Sequence, residues 1–167
     1  MKGFANNINI LFILLQHPAS VQLNIFLTLK FNCMEKFKLS PREEYLGKRI
    51  VNAAYTVHKE LGPGLLEKVY ESCMCHLLRE ENIIVVRQSI VPVHFRGLVF
   101  DDGIRLDLCV EDMVLVELKA VEAIIPIHRA QILTQLKLTG KNLGYLLNFN
   151  VPLIKDGIHR YIYNHKQ

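Results

Sequence analysis

The sequence predicts an α/β domain that begins at about Pro41, and three observations support this prediction. Apolar residues recur every three or four positions over residues 41–60, which is typical of a helix with one buried face. Segments rich in β-branched residues and bounded by turn residues follow over residues 83–121. A second helical pattern and further apolar strands complete the order helix, strands, helix, strand.

Two helices are expected at the start of the domain. Ser40 is a suitable N-cap and Pro41 a suitable first helical residue, because the serine hydroxyl can accept from free N–H groups and proline has none to lose. The glycines at positions 62 and 64 end this helix. A second helix is predicted to start near Leu65 and to end in the polar residues 79–81.

Strands are predicted from β-branched content and alternation. They cover residues 83–86, 90–95, 104–110, 113–121, 143–149 and 158–163, with turns at 96–97, 101–103 and 111–112. A helix over residues 127–139, ended by Gly140, separates the fourth strand from the fifth.

Composition excludes some classes of protein. The 167 residues suit one domain, and the net charge of +4 suits a polyanionic partner without identifying one. No apolar run reaches the roughly 18 residues of a membrane span, so we expect no membrane partner. The cysteines contain no CxxC pair, which favours reduced thiols of a cytoplasmic protein over a zinc site. They are Cys33, Cys73, Cys75 and Cys109.

Residues 1–40 are expected to be an N-terminal extension of a domain that covers residues 41–167. The first 33 residues carry two charges, Lys2 and Lys30. A basic start and an apolar run admit a signal peptide cleaved near Ala19 or Ser20. We favour Met34 as the true start, because an ordinary amphipathic helix follows it directly.

Three charged residues stand in the strand segments. Glu117 and Lys119 are two residues apart and share a face. If the third and fourth strands pair as a hairpin, Asp107 lies roughly across from Glu117 or beside it. The surrounding apolar stretch predicts burial, where charges are costly unless they are paired or bound to metal. The alternative is that both acids are solvated and that Lys119 pairs with one of them.

This set of residues suits phosphodiester hydrolysis. Mg²⁺ prefers oxygen ligands and keeps several waters, so two carboxylates and a phosphate oxygen form a natural site. A bound metal lowers the pKa of water and stabilises the leaving oxyanion. A neighbouring lysine can orient or deprotonate the attacking water.

Two motifs resemble those of a known superfamily. The arrangement Arg105-Leu106-Asp107, a ten-residue step, then Glu117-Leu118-Lys119 resembles the PD-(D/E)XK signature of the restriction-endonuclease-like nucleases, although Leu106 replaces the proline. Residues 64–70 match the GxxExxY motif that names a small bacterial family of this superfamily. The similarity covers roughly residues 45–163.

The resemblance implies a restriction-endonuclease-like αβββαβ core with a central mixed sheet flanked by helices. It also implies that Asp107 and Glu117 bind Mg²⁺ or Mn²⁺, that Lys119 is catalytic, and that Glu67 assists metal binding. From position alone, Glu67 is equally well explained as an acid that complements the helix dipole.

Gln131 resembles the glutamine of a QxxxY motif that some superfamily members carry after the active-site strands. The tyrosine position of that motif is occupied by Gln135 here, so the chain departs from the pattern at this point. Tyr70 is expected in the core. His128 could contact a phosphate, although a histidine near the start of a helix is more often a surface or capping group. Arg105 shares a face with Asp107 and could form a salt bridge with it.

Three interpretations remain open on these grounds. The first is a Mg²⁺-dependent nuclease whose partner is nucleic acid, DNA before RNA. The second is an inactive adaptor that kept the fold, because no separate DNA-recognition domain is visible. A homodimer or scaffold is a third alternative, suggested by the apolar residues Leu146, Leu147 and Phe149, which are better explained as core.

We expect mass spectrometry of the natively expressed protein to find an N-terminus at Met34. An N-terminus near Val21 would indicate secretion, and one at Met1 would show that the extension is retained.

Overall fold

The computed structural model describes residues 37–165, and those from Leu39 onward belong to one compact unit. Its helices are α1 (Pro41–Leu61), α2 (Glu67–Glu80), α3 (Pro126–Thr139) and α4 (Ile154–Gly157). Its strands are β1 (Val85–Phe95), β2 (Leu98–Val110), β3 (Val114–Lys119), β4 (Leu143–Asn148) and β5 (Ile158–Ile162). The expectations for Met34 and for a signal peptide lie outside the described residues.

Local capping explains where the long helices begin and end. The Ser40 hydroxyl accepts from the Glu43 backbone N–H, and the Glu43 carboxylate accepts from the Ser40 N–H, as a capping box requires. Gly62 ends α1 with φ of 70°, and Gly140 ends α3 with φ of 71° in the left-handed region. The sequence prediction for these caps is confirmed.

The five strands form one mixed sheet in the order β1-β2-β3-β4-β5. β3 and β4 are parallel, and the other neighbouring pairs are antiparallel. The parallel pair requires a crossover, which α3 supplies. This is the predicted restriction-endonuclease-like α/β architecture.

Two apolar layers cover the sheet. α1 and α2 pack on one face around residues such as Tyr70 and Phe149, and α3 packs on the other through Ile132 and Leu136. Leu146 and Leu147 are fully buried, as is Phe149, so they fill the core and offer no surface to a partner. Over residues 37–165 no helix is long and apolar enough to cross a bilayer.

The β1/β2 hairpin corrects the sequence prediction. The turn expected at residues 101–103 is wrong, because β2 runs through it without a break, and β1 joins two segments predicted as separate strands. The strand register shifts between Val91 and Val93, and a Cβ on Gly103 would lie 2.6 Å from the Val93 nitrogen. Gly103 therefore lies at a bulge where the two backbones approach closely. Residues 101–103 have the composition of a turn, which explains the wrong prediction.

We expect Gly157→Ala to lower the free energy of unfolding by about 1–3 kcal/mol, because the added Cβ would clash with the backbone of Asn148. That Cβ would lie 2.0 Å from the backbone oxygen of Asn148, and a backbone atom cannot rotate away. Urea denaturation measures the change. Lys155→Ala, at an exposed position of the same helix, is the control and should stay within about 0.5 kcal/mol of wild type.

Candidate active site

Asp107 and Glu117 meet where the β2/β3 ladder ends. The last paired residues are Leu108 and Val116, so the next residues outward are the two acids. Asp107 Oδ2 accepts a hydrogen bond of 2.9 Å from the Leu118 N–H. A side-chain carboxylate therefore bonds to β3 where a strand carbonyl would otherwise do so, and it joins the two strands at this point.

Glu117 is buried with both carboxylate oxygens bonded. Its exposed fraction is 1%. Oε1 accepts from Lys119 Nζ at 2.5 Å, and Oε2 accepts from Gln135 Nε2 at 2.8 Å. A buried carboxylate is tolerated only with such partners, because its desolvation would otherwise be uncompensated.

The carboxyl group of Asp107 has a perturbed pKa. Its pKa is raised from 3.8 to about 6, first because burial removes water from the carboxylate and second because Glu117 is negative. The Leu118 N–H and the Lys119 ammonium lower it only in part. A perturbed carboxyl beside a like charge is typical of functional sites, and a cation placed there would relieve both effects.

Glu67 reaches the same end of β3 from the first turn of α2. Its Oε1 accepts from the Ala120 N–H, 3.1 Å away, which directly follows Lys119. Tyr70 fixes the loop before this turn, because its hydroxyl donates to the Gly62 oxygen at 2.8 Å and accepts from the Leu65 N–H at 3.0 Å. The Tyr70 ring is fully buried and stacks on Phe149, which confirms its predicted position in the core.

Gln131 is not brought to the site. It is exposed and its side chain makes no hydrogen bond within the described residues, whereas Gln135, one turn later, is 3% exposed and its side chain bonds to Glu117. Apolar spacing could have identified this position, because Gln135 lies between the buried residues Ile132 and Leu136 of one helix face.

Other residues of the site received no role from the sequence. Asn148 is buried at the end of β4, donates to the Val121 carbonyl at 2.8 Å and accepts from the Val121 N–H at 3.1 Å. It thereby fixes the chain that follows Lys119. Glu71, buried in α2, accepts from Gln88 Nε2 at 2.6 Å.

Two of the expected contacts can be compared with the structure. Arg105 is exposed and makes no ion pair with Asp107 within residues 37–165; its backbone carbonyl instead accepts from Gln135 Nε2 at 3.4 Å. The Ile125 N–H donates to His128 Nδ1 at 3.4 Å, as expected for a capping histidine. These two side chains are therefore peripheral to the acids.

The residues present fit a cation in part. Among residues 37–165, no three His, Cys, Asp or Glu side chains are gathered closely enough to hold a metal ion. The Glu67 carboxylate is bonded to a backbone N–H, and that of Glu117 to Lys119 and Gln135. The two adjacent carboxylates suit a hard cation that keeps several waters, since such a cation needs few protein ligands.

Comparison with known proteins gives one match. A family model described as the PD-(D/E)XK nuclease superfamily matches residues 44–161. That range includes every acid, lysine and glutamine of the site. Neither the curated proteins nor the solved structures gave a match.

We expect stability to depend on pH through Asp107. Its pKa of about 6 in the folded protein exceeds the ordinary 3.8, so between these values the folded state binds more protons than the unfolded state. The free energy of unfolding therefore falls as pH rises through this window. Asp107→Asn removes the titration, and its stability relative to wild type should increase by roughly 1–3 kcal/mol across the window. Urea denaturation at a series of pH values measures this, and a constant difference would contradict it.

We expect Gln135→Leu to destabilise the protein by about 1–3 kcal/mol, because a buried oxygen of Glu117 loses its donor. The same substitution at exposed Gln131 is the matched control, and it should change stability by less than about 0.5 kcal/mol. Thermal and urea unfolding measure both. Equal effects at the two positions would show that the Gln135 bond contributes nothing.

Proposed function

Because the chain belongs to the PD-(D/E)XK nuclease superfamily, we propose that it is a metal-dependent nuclease that hydrolyses phosphodiester bonds of DNA. The main support is the meeting of Asp107 and Glu117 on adjacent strands with Lys119 beside them. Two acids and a lysine at one point of a sheet are the groups that phosphoryl chemistry requires.

In this proposal Asp107 and Glu117 hold Mg²⁺ or Mn²⁺, and Glu67 assists at the end of β3. When bound, the cation supplies a water of lowered pKa and neutralises phosphate charge. Asp107 Oδ2 is held by the Leu118 N–H, so Oδ1 is its freer oxygen. The pKa of Asp107, raised to about 6, is consistent with a carboxyl prepared for a positive partner.

Lys119 is the proposed catalytic residue. Its side chain is 13% exposed and lies against Glu117, so its ammonium group is largely shielded from water. A charge in such a position stabilises negative charge on a phosphate more strongly than a solvated one. In this proposal Lys119 also orients the attacking water.

We further propose that the chain is of the GxxExxY type. Gly64 has φ of 96°, in the region that favours glycine, and it stands in the loop that Tyr70 holds. Glu67 bonds to the backbone directly after Lys119. Each named position of the motif thus contributes to placing one carboxylate at the end of β3.

An inactive adaptor is the second candidate. Two observations favour it. Among residues 37–165, no three His, Cys, Asp or Glu side chains lie close enough together to hold a metal ion, and both Glu117 carboxylate oxygens already accept hydrogen bonds from protein groups. Such an adaptor would bind nucleic acid in a salt-sensitive manner without metal-dependent turnover.

We expect the purified protein to cleave DNA in the presence of Mg²⁺ or Mn²⁺, and EDTA to stop the reaction. Asp107→Ala and Lys119→Ala should each lower the rate by about 10²-fold or more, as loss of a charge-stabilising group does. Lys155→Ala, purified in the same way, should retain the wild-type rate and controls for contaminating nucleases. Cleavage of matched single-stranded and double-stranded DNA and RNA identifies the substrate.

Activity that survives in either site variant would refute the assignment of these residues. Salt-sensitive binding without turnover of any of these substrates would favour the adaptor.

A further inference from the structure

Gln88 has an unusual backbone for its place in the fold. Five described residues other than glycine have positive φ, and four of them lie in turns: Asn82, Arg96, Glu111 and Asp112. Gln88, with φ of 49°, lies inside β1. A bulky residue in this region inside a strand persists only where its surroundings impose it, and such outliers concentrate at functional sites.

The irregularity faces Asp107. The β1/β2 ladder pairs Arg87 with Leu108 and Ser89 with Leu106, and no pair is formed between Gln88 and Asp107. The ladder is therefore interrupted at the carboxylate that also bonds to β3.

The same irregularity gathers side chains that a regular strand would separate. Successive side chains of a strand point to opposite faces. Arg87 and Gln88 nevertheless both bond to Glu71, with Arg87 Nε 2.7 Å from Oε1 and Gln88 Nε2 2.6 Å from Oε2. Glu71 is 3% exposed, and the Arg87 guanidinium compensates its charge.

The amide of Gln88 also reaches the site. Its Nε2 lies 3.4 Å from Asp107 Oδ1, while Oδ2 of that carboxylate accepts from the Leu118 N–H. The contact with Asp107 is longer than the one with Glu71, so the amide is held by Glu71 and limits the movement of Asp107. One amide nitrogen thus stands between two carboxylates on separate elements.

We propose that Gln88, held by Glu71, is a positioning residue that orients Asp107 for its role at the site. This inference depends on the proposed function for its catalytic consequence. With a donor at each oxygen, the Asp107 carboxylate is restricted in rotation and presents a defined direction to a cation. Residues that orient ligands in this way commonly change metal affinity or activity by about 10–100-fold when they are replaced.

Three variants separate the effect of the Gln88 side-chain amide from the effect of its backbone conformation. Gln88→Gly removes the side chain and suits the positive φ, whereas Gln88→Met keeps the bulk and removes the donor. Asn82→Gly is the matched control, because it relieves a φ of 60° in a turn outside the site. We expect both Gln88 variants to raise the Mg²⁺ concentration for half-maximal cleavage by about 10–100-fold. Asn82→Gly should leave it unchanged, and the unfolding midpoint of Gln88→Gly should not fall below that of wild type.

Hydrogen exchange of the metal-free protein provides a second measurement. The Leu118 amide should exchange faster in both Gln88 variants, because its acceptor is less restrained, while the amides of β4 should exchange as in wild type. Wild-type exchange at Leu118 together with wild-type Mg²⁺ dependence would overturn the inference. If wild-type protein neither cleaves nor responds to Mg²⁺, the proposed function fails, and the exchange at Leu118 still decides whether Gln88 restrains Asp107.

Discussion

The structure of this site depends on one constraint: two carboxylates, a half-buried one and a fully buried one, lie side by side on adjacent strands. Asp107 and Glu117 repel each other, and burial makes the repulsion stronger. The surrounding donors, the Leu118 N–H, the Lys119 ammonium and the Gln135 amide, each offset part of it. A site arranged in this way lowers the stability of the free protein, as is common at active sites, and under the proposed function a bound cation would offset that cost.

Both layers of the domain contribute to that balance. α2 brings Glu67 and Glu71 to the site from one face of the sheet, and α3 brings Gln135 from the other. The Tyr70 hydroxyl bonds to the loop before α2 and its ring stacks on Phe149, and these contacts help to hold the first turn of α2, with Glu67, near the end of β3. The helices therefore act as rigid supports for side chains whose spacing the sheet alone could not fix.

The sequence predicted the parts of the fold that local patterns determine. Helix caps, the turn at residues 111–112 and the position of Asp107 opposite Glu117 follow from short-range rules, and the structure agrees with them. Contacts between distant segments were not predictable in this way. Gly103 has the composition of a turn but lies at a bulge, and the bonds of Gln135 to Glu117 and to the Arg105 carbonyl join segments that are far apart in the sequence. The left-handed backbone of Gln88 has no signal in its neighbouring residues.

The parallel pairing of β3 with β4 bears on how the protein is made. The acids and the lysine lie on the β2/β3 hairpin, but Asn148, which fixes the chain after Lys119, lies at the end of β4 beyond the α3 crossover. A nascent chain that has emerged from the ribosome only as far as β3 contains Asp107, Glu117 and Lys119 but not yet Asn148. Assembly of the site must therefore wait for this non-local pairing, which is slow compared with hairpin formation. Because of the order of synthesis, these three residues therefore lack the support of Asn148 until nearly the whole domain has folded.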